Sequence, residues 1–189
     1  IFKETIRINT LDYELYRDMQ QKIIDVLDTA EYVEVIGKGE NRTNMQVRLA
    51  ALSDPEKQTK FENCVADVNI PLGEVFTSPK LAGTNGILNV GTVYIGDIQY
   101  RNLLMEFKDG RVVSAVCDNF AENGEIDKEA GHRLIVQGIM NGHEILLLGE
   151  FAIGTNTTAY AMAEKFGILD RLPILIVEKM GPHFAVGDT

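Results

Sequence analysis

Apolar positions fall into short runs whose period changes along the chain, and the changes mark the elements. Leu11, Leu15, Met19, Ile23, Val26, Leu27 and Ala30 recur at three- and four-residue spacing. That stripe predicts an amphipathic helix over about residues 11–30 that packs by this face. Thr10 is its expected N-cap, with Asp12 and Glu14 in the positive first turn. The period then becomes two. Tyr32 to Ile36 reads as a strand with Val33 and Val35 on one face, and Met45 to Leu49 as its partner across a turn at 41–44. Ser53 to Lys60 is polar, contains Pro55, and reads as a surface loop or short helix.

Residues 86–117 alternate as β-structure, through Leu88, Val90, Thr92 and Tyr94, then Leu103, Met105 and Phe107. Asp109-Gly110 is a strong hairpin signal, with Val112 to Cys117 as the return strand. Asp127 to Asn141 reads as a helix weakened by Gly131 and Gly138, each worth about 1 kcal/mol against Ala, and Gly142 suits its end. A strand over 145–151 follows. Next comes a helix capped by Thr155 or Asn156 that runs to Phe166 and ends at Gly167. Ile174–Val177 and His183–Val186 read as the last strands. This order gives an α/β to α+β class, a mixed sheet with a β-meander and flanking helices. A soft boundary near residue 53 divides the chain into 1–52 and 53–189.

Composition narrows the function. Of 189 residues, 45% are hydrophobic and 24% charged, which is a globular balance. The net charge of −10 supplies no basic face for nucleic acid. No apolar run reaches the roughly 18 residues of a membrane helix. Cys64 and Cys117 lack metal-type spacing and read as buried free thiols of a reducing, cytoplasmic compartment. Residue 1 is Ile, and the chain stops just after a strand-like segment, so a fragment is expected.

Gly37-Lys38-Gly39 begins like a dinucleotide fingerprint, but its third glycine position is Arg42 and a strand follows, so a plain turn is expected. Two carboxylates stand out. Glu74 is the one charge in 69–79, between Pro71 and Pro79. Glu150 is the one charge between Glu144 and Glu164, at the end of an apolar strand. Each is either exposed or compensated by a cation, a donor or a metal, because a lone buried acid is costly. Thr155 to Thr158 could hold an anion, though ordinary capping accounts for them. His132 and His143 read as surface histidines, whereas His183 opens an apolar strand after Gly181-Pro182. No nucleophile elbow and no His-Glu-x-x-His helix is present.

Three segments carry a family likeness: Asn-Ile-Pro-Leu-Gly-Glu-Val-Phe-Thr-Ser-Pro at 69–79, Leu-Gly-Glu-Phe-Ala-Ile-Gly-Thr-Asn at 148–156 and Glu-Lys-Met-Gly-Pro-His-Phe-Ala-Val-Gly at 178–187. With the hairpin at 108–113, they resemble the leucyl aminopeptidase T and aminopeptidase S family of thermophilic-type metallopeptidases, over most of 20–187. The resemblance implies two divalent ions, Zn, Co or Mn, with Glu74, Glu150 and His183 among the ligands and Glu150 bridging as the catalytic carboxylate. It implies a peptide substrate with a free N-terminus, a homodimer, and further ligands beyond Thr189, with 1–52 a remnant of or link to a preceding domain and 53–189 a metal-site domain truncated at its C-terminus. Two other readings stay open: a metal-free structural or association module, and a glycosidase-like carboxylate pair, which the absence of Trp disfavours.

Overall fold

The protein is described by a computed structural model that places residues 2–65, 70–122 and 125–187. In chain order its elements are α1 (Phe2–Asn9), α2 (Tyr13–Leu27), β1 (Tyr32–Ile36), β2 (Asn44–Arg48), β3 (Glu62–Cys64), β4 (Glu74–Thr77), β5 (Lys80–Ile95), β6 (Ile98–Lys108), β7 (Arg111–Val116), β8 (Ala121–Glu122), β9 (Glu125–Ile126), α3 (Lys128–Ile135), β10 (Leu148–Gly154), α4 (Thr157–Phe166), α5 (Ile174–Val177) and β11 (Pro182–Val186). The fold is α+β. The chain divides into two compact units, each assembled from segments on both sides of residue 52. One comprises Ile1–Glu31, Leu49–Ser78 and Glu150–Ala185, and the other Tyr32–Arg48, Pro79–Gly149 and Val186–Thr189.

The second unit is a five-stranded sheet in the order β1-β2-β5-β6-β7. Its last three strands form the expected meander. Asp109 and Gly110 turn β6 into β7 with both φ angles positive, at 48° and 67°, as a two-residue hairpin requires. Gly86 lies so close to the Asn44 and Met45 backbone that any Cβ would collide with it. Met45, Val47, Leu103, Met105 and Phe107 fill the buried face. The helix expected over 127–141 starts at Asp127, whose side chain accepts from Ala130 N–H at 2.9 Å. It widens into a π turn over Val136–Met140. Gly138 leaves the space there that the Tyr100 hydroxyl occupies.

The first unit is built on a four-stranded sheet, β11-β10-β4-β3. β4 pairs antiparallel with both β3 and β10. Gly154 N–H bonds to Gly181 O and Gly187 N–H to Leu147 O, so β11 also runs against β10. The sheets are therefore antiparallel, not mixed as expected, because hairpins and short returns rather than long crossovers join the strands. Phe61, Phe151 and Phe184 stack in series, with ring centroids 6.1 and 5.3 Å apart. α1 and α4 share a core of Ile8, Ala159 and Met162, on which Ile168, Leu172, Ile176 and Met180 pack.

Three local expectations change. Asp12, not Thr10, caps α2, accepting from Glu14 and Leu15 N–H at 3.1 Å. α2 is also turned away from its apolar stripe. It buries Tyr16, Gln20 and Ile24 and leaves Leu15, Met19 and Val26 exposed. Gln20 sets this orientation: its Nε2 donates to Asn63 Oδ1 and Cys64 O, and its Oε1 accepts from the Thr155 hydroxyl. Ile174–Val177 is a short helix rather than a strand. Pro173 opens it with a carbonyl that accepts from Ile176 and Val177 N–H, and four apolar residues carry no period of their own. Both cysteines are buried free thiols. Among the described residues no helix is long and apolar enough to cross a membrane.

Candidate metal centre

The site lies on one face of the four-stranded sheet. Residues directly opposite on paired strands point to the same side. β4 places Glu74 opposite Cys64 on one neighbour and opposite Gly154 on the other. Glu150 precedes Gly154 by four residues on β10 and so shares that face. Gly73, with φ of 119°, delivers the chain into β4, and its Cα lies against Asn156. Asn156 is fully buried. It caps α4 through Ala159 N–H at 2.9 Å, donates to Leu72 O at 3.1 Å, and follows Thr155, whose N–H donates to Gly73 O at 2.7 Å. This clamp fixes the position at which Glu74 enters the sheet. Asn69, the first residue of the motif, lies outside the described residues.

Gly154 supplies the other half of the arrangement. A Cβ there would overlap the backbone of Glu178 and Lys179. Its absence lets that segment lie directly over the sheet, where Lys179 O accepts from Asn156 N–H at 2.8 Å. The Lys179 side chain is 0% exposed. Its ammonium binds Glu74 Oε1 and stands 3.0 Å from Glu178 Oε1. The segment then turns at Gly181-Pro182 and presents His183 from β11. His183 Nδ1 lies 3.2 Å from Gly181 O. A carbonyl only accepts, so Nδ1 carries a hydrogen and Nε2 faces the carboxylates.

Glu74, Glu150 and His183 thus meet. His183 Nε2 is 3.3 Å from Glu74 Oε2 and 3.5 Å from Glu150 Oε1. Nε2 and Glu74 Oε2 are both buried and make no hydrogen bond. Glu150 is the open member of the set, with its side chain 36% exposed. Among the described residues no group of three His, Cys, Asp or Glu side chains is arranged to hold a metal ion; these three stand as an ion-paired cluster. His132 and His143 are exposed and take no part. Asn156 caps α4 through Ala159 N–H, and Thr157 and Thr158 begin the helix.

The charges follow from these contacts. Burial pushes the Glu74 carboxyl up, but His183 and Lys179 outweigh it and hold the group down at about 2. Burial pushes His183 down, and the Glu150 and Glu74 carboxylates beside the ring reverse this and lift it to about 9. Burial, then the Glu74 charge, pushes the Cys64 thiol up to about 12, so it stays protonated. A raised imidazole contributes stability below its ordinary 6.5 and loses it as pH rises through about 9. A depressed carboxyl contributes above its ordinary 4.5 and loses it as pH falls through about 2. Chelator-treated protein should therefore lose melting temperature toward pH 9, and His183→Ala should flatten that alkaline limb. An unchanged limb in the variant would place the titration elsewhere.

By donor type, though not by spacing, the set suits a divalent cation. Two carboxylate oxygens and an imidazole nitrogen converge from separate strands, and two of the three atoms are buried without a hydrogen bond. Mixed oxygen and nitrogen donors suit Zn²⁺, Co²⁺ or Mn²⁺. Residue patterning missed Glu178 and Lys179 because a charged pair after an apolar run reads as an ordinary turn. The length of the Lys side chain and the missing Cβ at Gly154 bring the ammonium to Glu74.

Comparison with known proteins assigns the chain a family. The family model described as thermophilic metalloprotease (M29) matches residues 11–188. Among solved structures, wild-type AmpT from Thermus thermophilus is similar, with a TM-score of 0.58 and 18% identity. The match covers 93% of this chain and 41% of that one. At that identity the likeness is one of fold. The chain spans about two-fifths of the length of the solved protein that it matches. No curated protein sequence matches the chain.

Proposed function

The chain belongs to the thermophilic metalloprotease family, and on that premise we propose that it carries the metal site of a metal-dependent aminopeptidase that removes N-terminal residues from peptides. The observation that carries the proposal is the convergence of Glu74 Oε2, Glu150 Oε1 and His183 Nε2 from three strands. Glu74 and His183 would hold an ion from the buried side. Glu150, half-open to solvent, would hold it from the side that a substrate reaches and would act as the shared carboxylate of a two-metal centre. Bound divalent ions supply Lewis acidity toward a scissile carbonyl and lower the pKa of a coordinated water. Lys179 neutralises one oxygen of Glu74, and the Gly181 carbonyl fixes the ring orientation of His183. The substrate is a peptide with a free N-terminus, the ion is Zn, Co or Mn, and the working assembly is a homodimer.

A second reading, a metal-free association module, has one observation in its favour: Lys179 and His183 already offset the Glu74 charge. Activity separates the two. A longer protein containing this chain should hydrolyse leucine amide in the presence of Co²⁺. It should lose activity to chelator, and should lose it by at least about a hundredfold on Glu150→Ala, by analogy with other single catalytic groups. No turnover in any metal would favour the second reading, and chelator-insensitive turnover would contradict the first.

A further inference from the structure

Lys179 is a costly way to fill space. An ammonium is strongly hydrated and desolvates poorly, so a Met of similar length would occupy the same volume without that penalty. The fold nevertheless brings the ammonium to 0% exposure, through a strand position, Gly154, at which no side chain could stand. Once there it does not sit between all the carboxylates. It takes Glu74 Oε1 and lies 3.0 Å from Glu178 Oε1, while Glu74 Oε2 makes no hydrogen bond and faces His183 Nε2 at 3.3 Å. The two oxygens of one carboxylate have been assigned to different cations.

We propose that Lys179 is a positioning residue of the metal site: by taking Glu74 Oε1, its ammonium leaves that carboxylate a single oxygen, Oε2, to offer a metal ion. The inference rests on the reading of Glu74, Glu150 and His183 as metal ligands. Two consequences follow. A carboxylate with one oxygen committed cannot chelate through both, which keeps the coordination number of the ion low and a position open, as a working site needs. A fixed positive charge beside the ion also opposes its binding, so the site gives up affinity for that openness.

The test is Co²⁺ titration of the 189-residue chain, followed by calorimetry and by the visible absorption of the ion, which weakens as coordination number rises. Lys179→Met removes the charge and keeps the volume. Lys179→Gln, neutral but still a donor to one carboxylate, serves if the first variant folds poorly. Both should bind Co²⁺ about tenfold or more tightly than wild type, because a like charge is gone. Both should also show weaker visible bands, because Glu74 Oε1 is free to coordinate. A residue that only balanced charge for folding would lower the melting temperature and leave the spectrum of the bound ion unchanged. An unchanged spectrum with unchanged affinity, or weaker binding in both variants, overturns the proposal. A wild-type chain that takes up no Co²⁺ overturns the ligand reading itself, and it does so before any substitution is made.

Discussion

Glu74→Ala should be the most damaging single substitution in the first unit, lowering stability by about 3 kcal/mol, the lower end of the range for removing one partner of a buried ion pair. The loss does not come from the missing side chain, which is small in apolar area. It comes from what remains. Lys179, with its side chain 0% exposed, would keep only Glu178, whose side chain is 21% exposed. His183 would lose one of its two carboxylates. For a chain of this size that loss corresponds to roughly 6–12 °C in melting temperature. Glu74→Gln keeps a carbonyl acceptor for the ammonium and should cost less than Ala. A melting temperature for Glu74→Ala within about 2 °C of wild type, which at this size is below 1 kcal/mol, would show that the pair is not buried as described.

The second large effect concerns the ion. A ligand that binds only the folded chain stabilises it by mass action, by about 2.7 kcal/mol at a hundred times its dissociation constant. Saturating Co²⁺ should therefore raise the melting temperature by several degrees, on the order of 5–11 °C for a chain of this length. The ion must displace the proton that His183 holds up to about pH 9, so the gain should grow as pH rises toward that value. His183→Ala should abolish the gain, and Cys64→Ser should not, since the thiol stays protonated and serves as a donor. A melting temperature indifferent to Co²⁺ and to chelator at every pH would contradict a site in this chain.

Three members of the candidate site were legible in the sequence. Glu74 and Glu150 are lone charges in apolar surroundings, and such a carboxylate needs compensation wherever it is buried. His183 opens an apolar strand after a Gly-Pro turn, a position that puts a side chain at the end of a sheet. Composition and spacing marked these residues separately; only the pairing of β3, β4, β10 and β11 puts them on one face. The hairpin at Asp109-Gly110 was legible because positive φ at both positions leaves few alternatives. α2 was misjudged in its facing. Its apolar stripe is real, but the amide of Gln20 has three partners in the unit's interior, and satisfying a buried polar group outweighed burying Leu15 and Met19. Ile174–Val177 was misjudged in type, because four β-branched or aliphatic residues behind a proline suit either a strand or one helical turn. Lys179 was not legible at all. Its role depends on Gly154, 25 positions earlier, having no side chain, and nothing in the local sequence announces that.

Metal content measures most directly whether Glu74, Glu150 and His183 hold a divalent cation. Wild-type chain, Glu150→Ala and His183→Ala are each equilibrated with Co²⁺ or Zn²⁺, freed of unbound ion and assayed for bound metal. Stoichiometric metal is expected in the wild type, and its loss in both variants while they remain folded. Absence of metal from the wild type at saturating Co²⁺ and Zn²⁺, or equal retention by both variants, would contradict a metal site at these residues.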